Sequence, residues 1–195
     1  WGLSEDVVRR IGAAREEGLS VYADQYPYEA SATGLSGALA PRWALAGGQD
    51  SLRARIARPE DRARLAADIA ENLDRRGGAE RPQFRHFTAD RSIEGRTLAD
   101  VAAEAGEDPI ETTIRLLHIG GAGVVSFNMH EDDIERLMRQ PWVMTASDGD
   151  LPVFGEGVPH PRSYGTFPRK LGHYARDLGV VDVGTAIRSM THLPA

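Results

Sequence analysis

The stretch VMTASDGDLPVFGEGVPHPRSYGTFPR, Val143 to Arg169, decides how the chain is read. It opens on a short apolar run that reads as a buried strand. Asp148 stands at the exit of that run, and a Gly- and Pro-rich loop then leads to His160-Pro161-Arg162. A buried carboxylate is costly unless it is paired, hydrogen-bonded or metal-bound, so an aspartate at a strand exit asks for a partner. Asp-Gly is also a common turn pair, and an Asx-type turn is the plainer reading of Ser-Asp-Gly taken alone.

Outward from this stretch, strands and helices alternate. LSVYADQYPY reads as a strand ending in a proline-broken turn. It follows a helix that Ser4 is expected to cap, with Glu5 and Asp6 in its first turn and Val7, Val8, Ile11 and Ala14 as its apolar stripe. Thr97 and Asp100 make a capping box for TLADVAAEAG. Asp108 caps the next helix, with Pro109 at its first position and Glu111 in a second box position. GVVSFNM reads as a strand, EDDIERLMRQ as a short helix, WVMTAS as a strand. Two more helices are expected near Pro168–Leu178 and Asp182–Met190. Between them, residues 34–95 change texture: Gly, Ala and Ser first, then an Arg- and Ala-rich helix from about Glu60 to Arg76, then RPQFRHF as a short strand. This part reads as an insertion. Residues 1–33 and 96–195 read as regular scaffold. The alternation predicts an α/β fold of parallel β/α construction, in which ligands gather at the carboxyl ends of strands. Both Asp24–Tyr28 and Asp148 lie at such ends.

The composition narrows the classes of function. The 195 residues are 41% hydrophobic, enough for one core or a large piece of a bigger one. A net charge of -6 gives no pull toward nucleic acid or anionic membrane. With no cysteine there is no disulfide framework and no thiolate metal ligand, which fits a cytoplasmic setting. No apolar run nears the roughly 18 residues of a membrane span. The chain opens at Trp1 directly into domain sequence, which suggests a fragment.

Several chemistries drop out. The six histidines are scattered, with no H-x-H or H-E-x-x-H. His118 and His173 fall on predicted helices and read as structural or surface residues; His130 precedes an acidic helix start and reads as a cap or surface residue. There is no G-x-S-x-G, no Walker loop and no G-x-G-x-x-G. Carboxylate-plus-cation chemistry remains: Asp148 to move a proton and Arg162 to hold an anion bidentately. Arg162 could also be a plain surface arginine, but its setting between Pro161 and the aromatic YGTF run favours a fixed, partly enclosed guanidinium.

Three separated segments carry a family resemblance: DQYPYEASAT (Asp24–Thr33), VVSFNMHEDDIERLMRQPWVMTASDG (Val124–Gly149) and HPRSYGTFPRKLGHYAR (His160–Arg176). In this order they resemble N-acyl-D-amino-acid deacylases, the D-aminoacylase type of the amidohydrolase superfamily. The closing AIRSMTHLPA is similar to the same family. The resemblance implies the C-terminal part of a metal-dependent (β/α)8 barrel with an inserted segment, cleaving the amide bond of N-acyl-D-amino acids with zinc as cofactor. It implies that Asp148 is both a metal-site residue and the catalytic carboxylate facing the zinc-bound water, and that Tyr26 and Arg162 hold the substrate carboxylate. The main zinc ligands are expected upstream of this chain, so the isolated chain is expected to be inactive, with the remainder of the barrel as its partner. Where the family often has a serine, six residues past Tyr26, Ala32 stands here with Ser31 beside it. Either Ser31 compensates as a substrate contact or the anion pocket is weaker. The alternatives are a cyclic amidase of hydantoinase or dihydroorotase type, and a non-catalytic binding or assembly module.

Overall fold

The computed structural model describes all 195 residues. The chain divides into two compact units. The first comprises residues 1–29, 129–152 and 161–195; the second comprises residues 30–128 and 153–160. Residues 34–95 fall within the second unit, which also takes in residues 96–128.

In the first unit, helix α1 (Ser4–Glu16) precedes strand β1 (Ala23–Gln25). Helix α8 (Glu131–Met138) leads to β5 (Val143–Thr145), which pairs in parallel with β1 in the register Ala23↔Val143, Asp24↔Met144, Gln25↔Thr145. The strand expected over Leu19–Tyr28 is therefore only three residues long, because Pro27 and the turn around it end the ladder early. Helix α9 (Arg162–Arg169) runs into a π-helical stretch, Lys170–Asp177, and α10 (Val183–Met190) closes the unit.

The tail helix starts at Arg162, earlier than Pro168, so this proline lies inside α9. Pro168 has no N–H for the preceding turn. The helix widens just beyond it, as the i→i−5 bond from Leu178 N to His173 O at 2.9 Å shows. The core of this unit is Ile134, Met138, Tyr174, Ala175, Val181 and Ala186, packed between α8, the π stretch and α10.

Ser4 does not cap α1. Leu3 holds the cap position without a side-chain bond, and Ser4, itself buried, turns its hydroxyl to Asp133 of α8. The expected apolar stripe of α1 contributes no buried residue, and Val7 is exposed. His130 does cap α8: its Nδ1 accepts from Asp132 N at 3.2 Å.

The second unit holds β2 (Ser31–Gly34), α2 (Leu35–Leu39), α3 (Arg42–Leu45), α4 (Gly48–Ile56), α5 (Pro59–Arg75), β3 (Pro82–His86), α6 (Leu98–Ala105), α7 (Pro109–Ile119) and β4 (Gly123–Ser126). Its sheet order is β2-β4-β3, with β4 antiparallel to both neighbours. This corrects the all-parallel expectation. β3 and β4 are separated by α6 and α7 rather than by the single crossover helix of a βαβ unit, so no parallel return is imposed on them. The fold is mixed α/β, with a two-stranded parallel sheet and a three-stranded antiparallel one, and it forms no closed barrel.

The capping box of α6 is complete, Thr97 and Asp100 each bonding the other's backbone N–H. Gly106 ends that helix at φ 64, a left-handed cap that suits glycine. Asp108 caps α7, accepting from Ile110 N at 2.7 Å. Glu111 makes no second box; it pairs with Arg62 of α5, whose strong cation outcompetes a backbone N–H. Leu35, Leu39, Leu65, Ile69, Phe84, Leu98, Ile114 and Val124 lie in a single core between the sheet and helices α2, α5, α6 and α7.

Candidate active site

Within the first unit, the ends of β1 and β5 lie side by side, and each hands over to a segment carrying a candidate residue. Beyond β1 come Tyr26, Pro27 and Tyr28; beyond β5 comes Asp148. Asp148 is the one non-glycine residue with positive φ, at 46. Aspartate and asparagine tolerate that region better than most residues, and this turn aims the carboxylate away from the strand direction. Gly149 then lies against the start of α9. A Cβ there would sit 2.9 Å from Ser163 Cα, so no larger residue lets the loop pass.

Arg162 is the first residue of α9, and it is 6% exposed. Its Nη2 donates to Asp148 Oδ2 at 2.8 Å, while Asp148 keeps most of its side chain in solvent. The guanidinium also lies over the Tyr26 ring, 4.7 Å from its centre. Burial raises the Tyr26 phenol above its ordinary value; the Arg162 charge and its hydrogen bond oppose that rise, and the Asp148 charge adds to it. Three of the residues singled out in the sequence thus meet in one cluster: an exposed carboxylate, a buried guanidinium and a half-buried phenol. A guanidinium this enclosed is a fixed two-pronged anion holder.

The remaining candidate, Ser31, belongs to the second unit. Its hydroxyl pairs with the Asn128 amide at 2.9 Å, and it shares a register position with Ser126. Swapping the amide's O and N, which satisfies all its neighbours, has Asn128 donate to Ser31 and accept from Arg76. His160 of the same unit is 1% exposed and bonds Ala30 O through Nε2 at 2.9 Å, which anchors the chain two residues before Arg162.

Two cations escaped the sequence reading. Arg169 donates from Nε to Pro27 O at 2.8 Å and lies 5.1 Å over the Tyr28 ring. Lys170 is 3% exposed and donates to Thr145 Oγ1 at 2.6 Å and to Ser189 Oγ at 2.8 Å. Burial alone lowers its ammonium to about 8. The signal was present in the spacing, since Arg162, Arg169 and Lys170 stand at i, i+7 and i+8, one face of a helix. Gly165 on this helix lets the Tyr28 hydroxyl approach the backbone.

No group of three or more His, Cys, Asp or Glu side chains is placed to hold a metal ion. Asp148, exposed and paired with Arg162, would offer a single ligand where zinc prefers four. These residues by themselves do not make a metal site.

No family model matches the chain. Against known proteins it is 45% identical to a D-aminoacylase from Alcaligenes xylosoxydans xylosoxydans over 103 residues, 53% of this chain and 20% of that protein. It is 30% identical to an N-acyl-D-glutamate deacylase of the same organism over 195 residues, 100% of this chain and 31% of that protein. A crystal structure of N-acyl-D-glutamate deacylase from Bordetella bronchiseptica, complexed with zinc and a phosphonate inhibitor mimicking the tetrahedral intermediate, superposes with a TM-score of 0.71 at 31% identity. It covers 100% of this chain and 32% of its own. A D-aminoacylase structure described for its binuclear metal centre gives 0.68 at 32% identity, over 99% of this chain and 32% of its own. The chain spans about a third or less of the length of these relatives. Its homologues and structural neighbours are N-acyl-D-glutamate deacylases and D-aminoacylases of the amidohydrolase family, and the chain corresponds to one segment of them.

Proposed function

We propose that this chain supplies the proton-moving carboxylate and the anion clamp of an enzyme that hydrolyses the amide bond of N-acyl-D-amino acids. The observation that carries this reading is the Asp148–Arg162–Tyr26 cluster beyond the parallel strands β1 and β5. Arg162 and Tyr26 hold the α-carboxylate of the substrate and so fix where its amide lies, a positioning effect. Asp148, released from Arg162 as the substrate carboxylate takes its place, accepts a proton from the attacking water. It then returns the proton to the departing amine nitrogen.

The metal belongs to the same reading, with Asp148 as this chain's contribution and the other ligands drawn from parts of the protein outside these residues. In support, two structural neighbours are described with zinc and with a binuclear metal centre. We read β1 and β5 as neighbouring strands of a (β/α)8 barrel, residues 129–195 as its last strand and C-terminal helices, and residues 34–95 as an insertion that extends through residues 96–128 of the second unit. A cytoplasmic setting is part of this reading, in line with a chain that has no cysteine.

The test is Asp148→Asn in the full-length protein. Asparagine suits the positive φ at this position, so the fold should survive. Without a proton acceptor, turnover of an N-acetyl-D-amino acid should fall on the order of 10²–10⁴-fold. Wild-type turnover would remove Asp148 from the mechanism. Turnover of hydantoins in preference to N-acetyl-D-amino acids would point to a cyclic amidase instead.

A further inference from the structure

Lys170 is the most deeply buried charge of the first unit, and no acidic side chain faces it. It forms none of the ion pairs of the chain, and burial is the sole influence that moves its ionisation. Its partners are two hydroxyls, Thr145 Oγ1 on β5 and Ser189 Oγ on α10, which also lie 3.1 Å from each other. Ser189 is tied in turn to Ala186 O at 2.8 Å. A cation buried on neutral acceptors is a poor way to gain stability, because desolvation costs more than two hydroxyls return. Its value lies in what it holds still.

Thr145 is the last residue of β5, and Asp148 follows after Ala146 and Ser147. Lys170 follows directly on α9, whose first residue is Arg162. One helical run therefore grips the β5 segment twice: Arg162 takes the carboxylate beyond the strand, and Lys170 takes the hydroxyl within it. The β1–β5 ladder is only three residues long and cannot by itself fix the strand exit to the fraction of an ångström that proton transfer needs.

We infer that Lys170 is a positioning residue, which clamps Thr145 between the π-helical stretch and α10 and so fixes the exit of β5 from which Asp148 reaches the substrate. The inference rests on the reading of Asp148 as the proton-moving group. It accounts for a polar trio in a place where three apolar side chains would pack.

The test uses the full-length protein and Lys170→Met, an unbranched side chain one atom shorter that lacks the donors. Thermal unfolding should occur no lower than in wild type. The kcat on an N-acetyl-D-amino acid should fall about 10-fold or more, with KM changed by less than about threefold, the mark of an interaction needed in the transition state. Thr145→Val should lower kcat to a similar extent. The double variant should be no worse than either single one, since the two residues act as a unit. A merely structural lysine would move the unfolding temperature and leave kcat alone. Should a single variant fail to fold, the double variant replaces the buried pair with apolar surface and takes its place. Wild-type kcat in Lys170→Met or in the double variant overturns the inference, and so does a rise in KM with kcat unchanged. Asp148→Asn separates this from the parent reading. An inactive Asp148→Asn beside a fully active Lys170→Met removes the positioning role alone, whereas an active Asp148→Asn removes the reading beneath it.

Discussion

Raising the pH from about 7 to above 10 should stabilise the wild-type protein relative to Lys170→Met, because the buried ammonium is charged at a cost. The folded value of about 8 lies below the ordinary 10.5 that the unfolded chain keeps. Below about pH 8 both states hold the proton and the cost is fully present. Between about 8 and 10.5 the folded protein gives up its proton while the unfolded chain retains it, so stability rises with pH. Above that range both states are neutral and the gain is complete. The two values differ by about 2.5, which at about 1.36 kcal/mol for each tenfold step in acidity corresponds to roughly 3 kcal/mol. The tyrosines titrate over the same range, and Lys170 is the one lysine of the chain, so the decisive quantity is the difference between the two proteins. Urea unfolding of wild type and Lys170→Met at a series of pH values gives it directly. Two stability curves that run parallel from about pH 7 to 10.5 would refute the argument.

Arg162→Ala should cost roughly 2–5 kcal/mol in kcat/KM on an N-acyl-D-amino acid. Arg162→Lys should stay clearly impaired, since an ammonium lacks the fork. Paired kinetics with an N-acyl amine that has no carboxylate decide it: equal losses on both substrates would make Arg162 structural. Tyr26→Phe should follow the same pattern more mildly, by roughly 0.5–1.5 kcal/mol for one neutral hydrogen bond. The isolated 195-residue chain should bind zinc weakly and turn over nothing, since no group of three metal-ligating side chains is assembled in it. Tight stoichiometric zinc in calorimetry would contradict this. Thr97→Ala should destabilise the second unit by about 1 kcal/mol through loss of the α6 cap, read by urea unfolding.

Local rules carried much of the sequence reading. The caps at Thr97 and Asp108 each need only one to three residues of context, and both stand where their side chains dictate. Asp148 and Arg162 stood out because a carboxylate at a strand exit and a guanidinium beside an aromatic run each need a partner; that they partner each other was not in the sequence reading. Long-range geometry was not legible. Nothing in the alternation of strands and helices records which strands pair, and β4 runs antiparallel to both of its neighbours. Ser4 has the residue type of a cap, yet it serves Asp133, a partner far along the chain that its own segment cannot announce. Lys170 was hidden for a different reason. Beside Arg169 it looks like one of a pair of surface cations, and Pro168 obscured the helix that turns it inward.

The first unit is built from three separated pieces of chain, whereas the second is almost wholly the uninterrupted run Ala30–Asn128. This sets an order of events during synthesis. The long run can bury Leu65, Phe84 and Ile114 as soon as it has left the ribosome, using contacts that close within it. The β1–β5 pair must wait for Val143, and the clamp at Asp148 must wait for Arg162 and Lys170. Closing such distant contacts is slow, and domains generally fold as units as they emerge. The Asp148–Arg162–Tyr26 cluster should therefore be the last part of this chain to acquire protection from protease. A nascent chain whose residues up to Asn128 have left the ribosome should already protect residues 34–95 while leaving Tyr22 and Tyr26 open to cleavage.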